Sequence, residues 1–164
     1  RFKEYKIEDQ DSGKLKMRMD IIPVSLAIAQ AANESGWGTS RFALEGNALF
    51  GQWTWSKKGI SPKNKDPDQN HRILQFQILK ASVRAYKNNL NTHNAYKQFR
   101  EARAQLRQEE EEIDGLKLVK YLQNYASIGE KYVTILRDII ENNSLTDFDK
   151  ANLLPTNLKK GMAL

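Results

Sequence analysis

Residues 21–38 read IIPVSLAIAQAANESGWG, an apolar run that ends at a glutamate. Pro23 suits the first turn of a helix, because the backbone donor that proline lacks has no partner there. From Val24 to Ala32 apolar residues cover almost every side of a helix, with two polar exceptions. This pattern predicts a helix over residues 20–34 that lies inside the core and not on its surface.

Glu34 falls where this predicted helix ends, because Gly36 and Gly38 interrupt it. A carboxylate at the end of a buried helix loses hydration, and this loss raises its pKa. A carboxyl group that stays protonated near neutral pH can act as a general acid. We therefore interpret Glu34 as a candidate acid. The alternative is an exposed glutamate of the last helical turn that has no catalytic function.

Two sequence motifs include or follow this glutamate: ESGWGTSRFA at residues 34–43 and NALFGQW at residues 47–53. Together they resemble the signature of bacterial N-acetylglucosaminidases that cut peptidoglycan, the flagellar-rod and autolysin type. The stretch SVRAYKNNLNTHNAY at residues 82–96 resembles the Bax-type branch of that group. YAS at residues 125–127, followed by Tyr132, resembles the late Tyr-Ala-x-x-x-x-Tyr motif of the family, here one residue longer.

This resemblance covers about residues 20–142 and implies a fold, an activity and a set of site residues. The implied fold class is mainly α, a lysozyme-like helical domain with a small β-hairpin lobe. The implied activity is that of a peptidoglycan hydrolase, an endo-β-N-acetylglucosaminidase that cleaves the glycan strand after N-acetylglucosamine. Glu34 is the implied general acid and Tyr125 a second catalytic residue. The candidate substrate-binding residues are Asn47, Phe50, Gln52, Trp53 and Tyr132.

Glycoside cleavage also needs a group that attacks or stabilises the anomeric carbon. The resembled family often takes a second carboxylate from the hairpin lobe, but no glutamate lies between Ala48 and Lys80, where the acidic residues are Asp66 and Asp68. One of these aspartates is a possible second carboxylate. Alternatively, the 2-acetamido group of the sugar attacks the anomeric carbon and Tyr125 orients it. For Tyr125 itself, the alternative is a half-buried core tyrosine.

The tryptophans near the glutamate are candidates for stacking on sugar rings, although aromatic residues in a small α-domain are more often core. We expect Trp37 in the core beneath Glu34, where it would shield the carboxylate from water. Trp53 and Trp55 alternate along a predicted strand, so their side chains point to opposite faces. We therefore expect one of these two residues to line the groove.

Residue periodicity predicts the remaining elements. The polar, proline-containing residues 52–77 are expected to form a hairpin lobe with a strand at each end. Thr146 and Asp149 resemble a capping box that opens a short last helix. The other helices are expected near Lys14–Met19, from Leu79 to Leu90, from Ala95 to the acidic run Glu109–Glu112, over Leu116–Asn124, and from Tyr132 to Asn142.

The composition is that of a soluble globular protein, with 40% hydrophobic and 28% charged residues in a chain of 164. This length suits a single glucosaminidase-like domain over residues 1–164, with a core at about 20–150 and peripheral segments at 1–19 and 155–164. No apolar run reaches the roughly 18 residues of a membrane span. The chain contains no cysteine, which excludes disulfides and thiolate chemistry. No metal and no cofactor is expected, since His71 and His93 lie far apart and unaccompanied.

The net charge of +6 predicts attraction to a polyanion. The basic residues are scattered and no nucleic-acid recognition motif accompanies them, so nucleic acid is not an expected partner. The expected partner is peptidoglycan, whose stem peptides carry carboxylates, and the alternative is a solvated basic surface. We expect a monomer in the bacterial cell envelope, periplasmic or secreted. The chain begins at Arg1 and not at methionine, which fits the removal of a signal peptide or of a longer N-terminal region.

Two other functions stay open at the level of sequence. A lytic transglycosylase also uses a single glutamate in a lysozyme-like fold and cleaves on the muramic acid side. A cell-wall-binding or glycan-binding domain could keep the fold without turnover, since the hairpin lobe lacks a glutamate.

Overall fold

A computed structural model describes residues 1–56, 59–61 and 71–152. In these ranges the protein is mainly helical with one small antiparallel sheet, so the predicted lysozyme-like α fold with a β-hairpin is confirmed. The helices are α1 (Ser12–Arg18), α2 (Val24–Ser35), α3 (Arg41–Gly46), α4 (Leu79–Thr92), α5 (Lys97–Gln108), α6 (Gly115–Leu118) and α7 (Glu130–Asn142). The strands are β1 (Trp53–Thr54) and β2 (Arg72–Ile73), and 3₁₀ segments span Asn94–Tyr96, Val119–Leu122 and Leu145–Lys150.

Helix α2 passes through the centre of the fold, as the apolar run predicts. It begins one residue after Pro23 and ends at Gly36, whose φ of 57° allows a left-handed C-cap that donates its N–H to the carbonyl of Ala32. Leu26 and Ala29 are completely buried. Burying a side chain of the size of leucine contributes about 1.5–3 kcal/mol, so this buried run stabilises α2 more than helix propensity alone does.

Helix α2 packs against α7 and the last 3₁₀ segment. Helix α7 contributes Leu136 and Ile140, which are completely buried in the same core cluster as Leu26. These residues are spaced four apart, the period that places side chains on one face of a helix. The periodicity that predicted α7 therefore reflects its packing against α2.

The start of α2 is capped from a distant part of the chain, and this corrects the predicted capping box of residues 146–149. The 3₁₀ segment at that position has no side-chain cap. The carboxylate of Asp149 accepts instead from the Ser25 N–H at 2.8 Å, the Ser25 hydroxyl at 2.6 Å and the Gly115 N–H at 3.1 Å. Pro23 offers no capping side chain, so Asp149 supplies the acceptor that the first turn of α2 needs.

Arg103 of α5 is completely buried, and its hydrogen bonds connect α5 to several other segments. Its guanidinium donates to the carbonyl oxygens of Ile21 at 2.5 Å and Met17 at 2.7 Å, and to Asn91 Oδ1 at 2.9 Å. Asp20 lies 3.7 Å away as the ionic partner. Burial lowers the pKa of Arg103 to about 10, so the group stays charged at neutral pH. No local sequence pattern indicates this role of Arg103, because its partners come from distant segments.

The two predicted strands are confirmed as an antiparallel pair in which Trp53 faces Ile73 and Thr54 faces Arg72. The hairpin is fixed to the helical part by Asn47, whose side-chain amide donates to the carbonyl oxygen of Phe76 at 3.0 Å. Residues 57–58, 62–70 and 153–164 lie outside the described part of the chain, and with them the two candidate carboxylates and the predicted C-terminal segment. None of the described helices has the length and apolar content that a membrane crossing requires.

Candidate active site

A groove with a volume of about 460 Å³ opens beside the C-terminal end of α2. The structure brings together there five residues that the sequence singled out: Glu34, Phe50, Gln52, Trp53 and Tyr125. The other lining residues fall within the quoted family motifs but were not predicted as site residues: Gly51, Asn89, Tyr96, Ala126 and Ser127.

Two predicted substrate-binding residues are not among the described residues that line this groove. Asn47 forms the left-handed C-cap of α3 and holds the hairpin. Tyr132 is buried behind Glu34 and contacts it directly. The predicted second carboxylates, Asp66 and Asp68, lie outside the described residues.

Glu34 occupies the last turn of α2 and one of its two oxygens carries the hydrogen bonds. Oε1 accepts from the Tyr132 hydroxyl at 2.9 Å and from the Asn33 side-chain amide at 3.2 Å. Desolvation by burial raises the pKa of Glu34, while the hydrogen bonds from Tyr132 and Asn33 lower it. Burial is the larger effect, and the pKa of Glu34 lies above the ordinary value of 4.5.

The second carboxylate oxygen, Oε2, lies against the backbone of Gly51. A Cβ atom at Gly51 would lie 3.0 Å from Oε2, and the φ of 58° at this position is one that a residue with a side chain rarely adopts. A glycine is therefore required for the carboxylate to lie so close to the groove wall. The sequence signal for this residue was the glycine of the NALFG motif.

Tyr132 belongs to a buried line of hydrogen bonds that the sequence analysis missed. The Tyr86 hydroxyl donates to Gln30 Oε1 at 2.8 Å, and Gln30 Nε2 donates to the Tyr132 hydroxyl oxygen at 3.0 Å. Gln30 is completely buried. One signal was available in the sequence, because Gln30 is one of two polar residues in the apolar run and lies one helical turn before Glu34.

Tyr125 lines the groove and stacks on Tyr132, with ring centroids 5.6 Å apart. Its hydroxyl donates to the carbonyl oxygen of Phe50 at 3.0 Å. Burial raises the pKa of Tyr125 well above its usual value, so the hydroxyl is neutral. The Tyr125 oxygen therefore keeps its lone pairs for a donor in the groove.

The chain's tryptophans lie on the surface. Trp53 lines the groove with its ring stacked on His71 at 4.1 Å, whereas the exposed Trp55 does not, so one of the two tryptophans lies at the groove as expected. The prediction for Trp37 is wrong, since 62% of this residue is exposed. The physical reason is the backbone: Gly36, Trp37 and Gly38 all have positive φ angles, and this left-handed turn directs the tryptophan outward.

Gln52 lines the groove and has one unusual buried atom. Its Oε1 is buried and has no hydrogen-bond partner among the described residues. A buried acceptor without a partner is rare in native proteins. No group of His, Asp or Glu side chains in the described ranges is arranged to hold a metal ion.

Known proteins resemble this chain over most of its length. Residues 11–145 match the glucosaminidase family, which is described as mannosyl-glycoprotein endo-beta-N-acetylglucosaminidase. The chain is 39% identical over 126 residues to a protein of Escherichia coli (strain K12) named Protein bax. This similarity covers 77% of the chain but 44% of that protein, so the chain spans less than half the length of this relative. No solved structure matches the chain. The chain is a Bax-like member of the glucosaminidase family.

Proposed function

We propose that the chain is a peptidoglycan hydrolase, an endo-β-N-acetylglucosaminidase that cleaves the glycan strand after N-acetylglucosamine. The observation that carries this proposal is the position of Glu34, a partly desolvated carboxyl group beside an open groove that contains aromatic and amide side chains. Membership of the glucosaminidase family supports glycoside hydrolysis. The net charge of +6 supports attraction to the anionic wall.

Glu34 is the general acid in this proposal. Its raised pKa increases the protonated fraction near neutral pH, and a protonated carboxyl can donate to the leaving glycosidic oxygen. Glu34 is also the only carboxylate among the described residues that line the groove. For the second group we propose the substrate itself, because Tyr125 lines the groove and can hold the 2-acetamido group of the sugar.

In the substrate-assisted route, the carbonyl oxygen of the 2-acetamido group forms a bond to the anomeric carbon while the glycosidic C–O bond breaks. The proton of Glu34 passes to the leaving oxygen. Water then attacks the anomeric carbon and reopens the ring, and Glu34 takes a proton from that water. Tyr125 orients the acetamido group by accepting its N–H, because the tyrosine's own hydrogen is engaged by Phe50.

Two further groove residues have defined binding roles in this proposal. The exposed face of Trp53, supported from behind by His71, offers an apolar platform for a sugar ring. Gln52, which also lines the groove, contributes its side-chain amide to hydrogen bonds with sugar hydroxyls. The proposed substrate implies a location in the bacterial cell envelope, periplasmic or secreted.

Substitution of Tyr125 should separate the two routes to cleavage. If the substrate supplies the attacking group, we expect Tyr125→Phe to slow turnover of purified peptidoglycan about tenfold, the effect of losing one hydrogen bond worth about 1.4 kcal/mol. Asp66→Asn and Asp68→Asn should then have little effect. An aspartate variant nearly as inactive as Glu34→Gln would instead identify that aspartate as the second carboxylate. Full activity of Tyr125→Phe would remove the tyrosine from the mechanism.

The function itself is tested by zymography and by the reducing ends released from purified peptidoglycan. After borohydride reduction, we expect N-acetylglucosaminitol at the new ends. New 1,6-anhydromuramic ends would instead show lytic transglycosylase activity. Wall binding without any released ends would show a glycan-binding domain, and either result would overturn the proposal.

A further inference from the structure

We propose that the proton that Glu34 donates resides on Oε2, and that Tyr86 and Gln30 keep it there by acting through Tyr132. The proposal rests on the function proposed above for Glu34. It assigns Tyr86 and Gln30 as positioning residues, since neither lines the groove within the described part of the chain.

The buried hydrogen bonds have one consistent direction. Tyr86 donates to Gln30 Oε1 at 2.8 Å, and the amide nitrogen of Gln30 donates to Tyr132 at 3.0 Å. The Tyr132 oxygen is thus occupied as an acceptor, and its hydrogen is directed to Glu34 Oε1 at 2.9 Å. Each of the three donor residues is at most 1% exposed, so water does not compete for the two bonds that Gln30 makes.

The opposite direction is energetically unfavourable because of Tyr86. If the amide of Gln30 turned over, its nitrogen would donate to Tyr86 and the Tyr86 hydrogen would lose its acceptor. Leaving a buried donor unpaired costs about 1–3 kcal/mol. The Tyr86 hydroxyl therefore fixes the amide orientation, and the amide fixes the direction in which Tyr132 donates.

Glu34 Oε1 is an acceptor in this arrangement, whether or not the carboxyl group is protonated. It already receives hydrogen bonds from Tyr132 and Asn33. The acidic proton consequently occupies Oε2, the oxygen beside Gly51. Gly51 lines the groove and lacks a side chain, so this is the side on which a glycosidic oxygen can approach.

Tyr86→Phe removes the hydroxyl that fixes the orientation of the Gln30 amide and preserves the packing of the ring. The ring of Tyr86 stacks on Phe50 with centroids 3.9 Å apart, and phenylalanine keeps that contact. Without the hydroxyl, either orientation of Gln30 leaves one end of the amide unpaired. Protonated Glu34 can then donate from Oε1 to Tyr132, which stabilises the acid form and withdraws the proton from the substrate.

The test is a ¹³C NMR titration of Glu34 in the full chain, with the Glu34 signal assigned by its loss in Glu34→Gln. We expect Tyr86→Phe to raise the pKa of Glu34 by about one unit, the shift that one charge-assisted hydrogen bond produces. On peptidoglycan fragments we expect kcat to fall about tenfold with an unchanged KM. Tyr121→Phe removes a hydroxyl outside the groove and this line of bonds, and should change neither quantity.

A double-mutant cycle distinguishes positioning from a general structural effect. Because Tyr86 acts through Tyr132, Tyr86→Phe should leave the pKa of Glu34 unchanged in a Tyr132→Phe background. Equal shifts in both backgrounds, or no shift in the single variant, would overturn the proposal.

The wild-type protein provides a second measurement that does not depend on the folding of a variant. The side-chain amide protons of Gln30 should keep their nuclear Overhauser contact to the Tyr132 ring on both sides of the Glu34 titration. Transfer of that contact to Tyr86 would refute the inference. The NMR titration and the nuclear Overhauser measurement require no substrate. An inactive wild-type protein would therefore refute the proposed function and leave the titration result interpretable.

Discussion

Glu34→Gln is expected to keep its fold and to lose turnover of purified peptidoglycan by about 10²- to 10⁴-fold, the contribution typical of general acid–base catalysis. Glutamine keeps the shape of the side chain and can still accept from Tyr132 at the position of Oε1. It has no carboxylic proton for the leaving oxygen. The rate of reducing-end release from purified wall measures the loss, and near-normal hydrolysis would exclude Glu34 as the acid.

The same substitution should not lower stability at neutral pH. The pKa of Glu34 is higher in the folded chain than its ordinary value of 4.5, so the folded state binds more protons than the unfolded state above that pH. The contribution of Glu34 to the free energy of unfolding is therefore lost as the pH rises through the pKa that Glu34 has in the folded chain. A neutral glutamine avoids this loss, and thermal unfolding at pH 7 should give a Tm equal to or above that of the wild type. A much lower Tm would mean that the loss of activity reflects unfolding.

Arg103→Met is expected to decrease the free energy of unfolding by about 3–5 kcal/mol, the cost of breaking a buried charged network on one side. Methionine fills much of the volume but donates no hydrogen bonds. The carbonyl oxygens of Ile21 and Met17, and Asn91 Oδ1, would each lose a donor. Denaturant unfolding of both proteins measures the difference.

Arg107 provides the matched control for this prediction. It also pairs with Asp20, at 2.9 Å, but its side chain is 53% exposed. Exposed ion pairs contribute about 0–1 kcal/mol, so Arg107→Met should destabilise far less than Arg103→Met. Equal effects of the two substitutions would contradict the assignment of the buried hydrogen bonds as the cause.

Much of the fold follows from local patterns in the sequence. The apolar run before Glu34 predicted α2, the helical spacing of apolar residues predicted α4 and α7, and the strands of the hairpin are found at Trp53 and Ile73. These patterns are local, because each repeats within a single element. The resemblance to the family supplied the candidate tyrosines that periodicity does not provide.

The features that the sequence did not predict depend on local backbone angles and on contacts between residues far apart in the chain. Trp37 was expected in the core, but three successive positive φ angles direct it to the surface. Asp149 was expected to cap its own helix, whereas it caps α2 from 124 residues away. Gln30 meets partners that lie 56 and 102 residues away in sequence. No pattern within one element specifies such pairs, so periodicity did not indicate that Tyr132 contacts Glu34.

The central claim, that Glu34 donates the proton in glycan cleavage, is tested most directly by comparing two pH dependences. One is the NMR titration of Glu34, and the other is the profile of kcat/KM on soluble peptidoglycan fragments, whose alkaline limb reports the essential acid of the free enzyme. We predict that the alkaline limb coincides with the pKa of Glu34, above 4.5, and that both shift upward together in Tyr132→Phe. An alkaline limb that stays in place while the pKa of Glu34 moves would contradict the account.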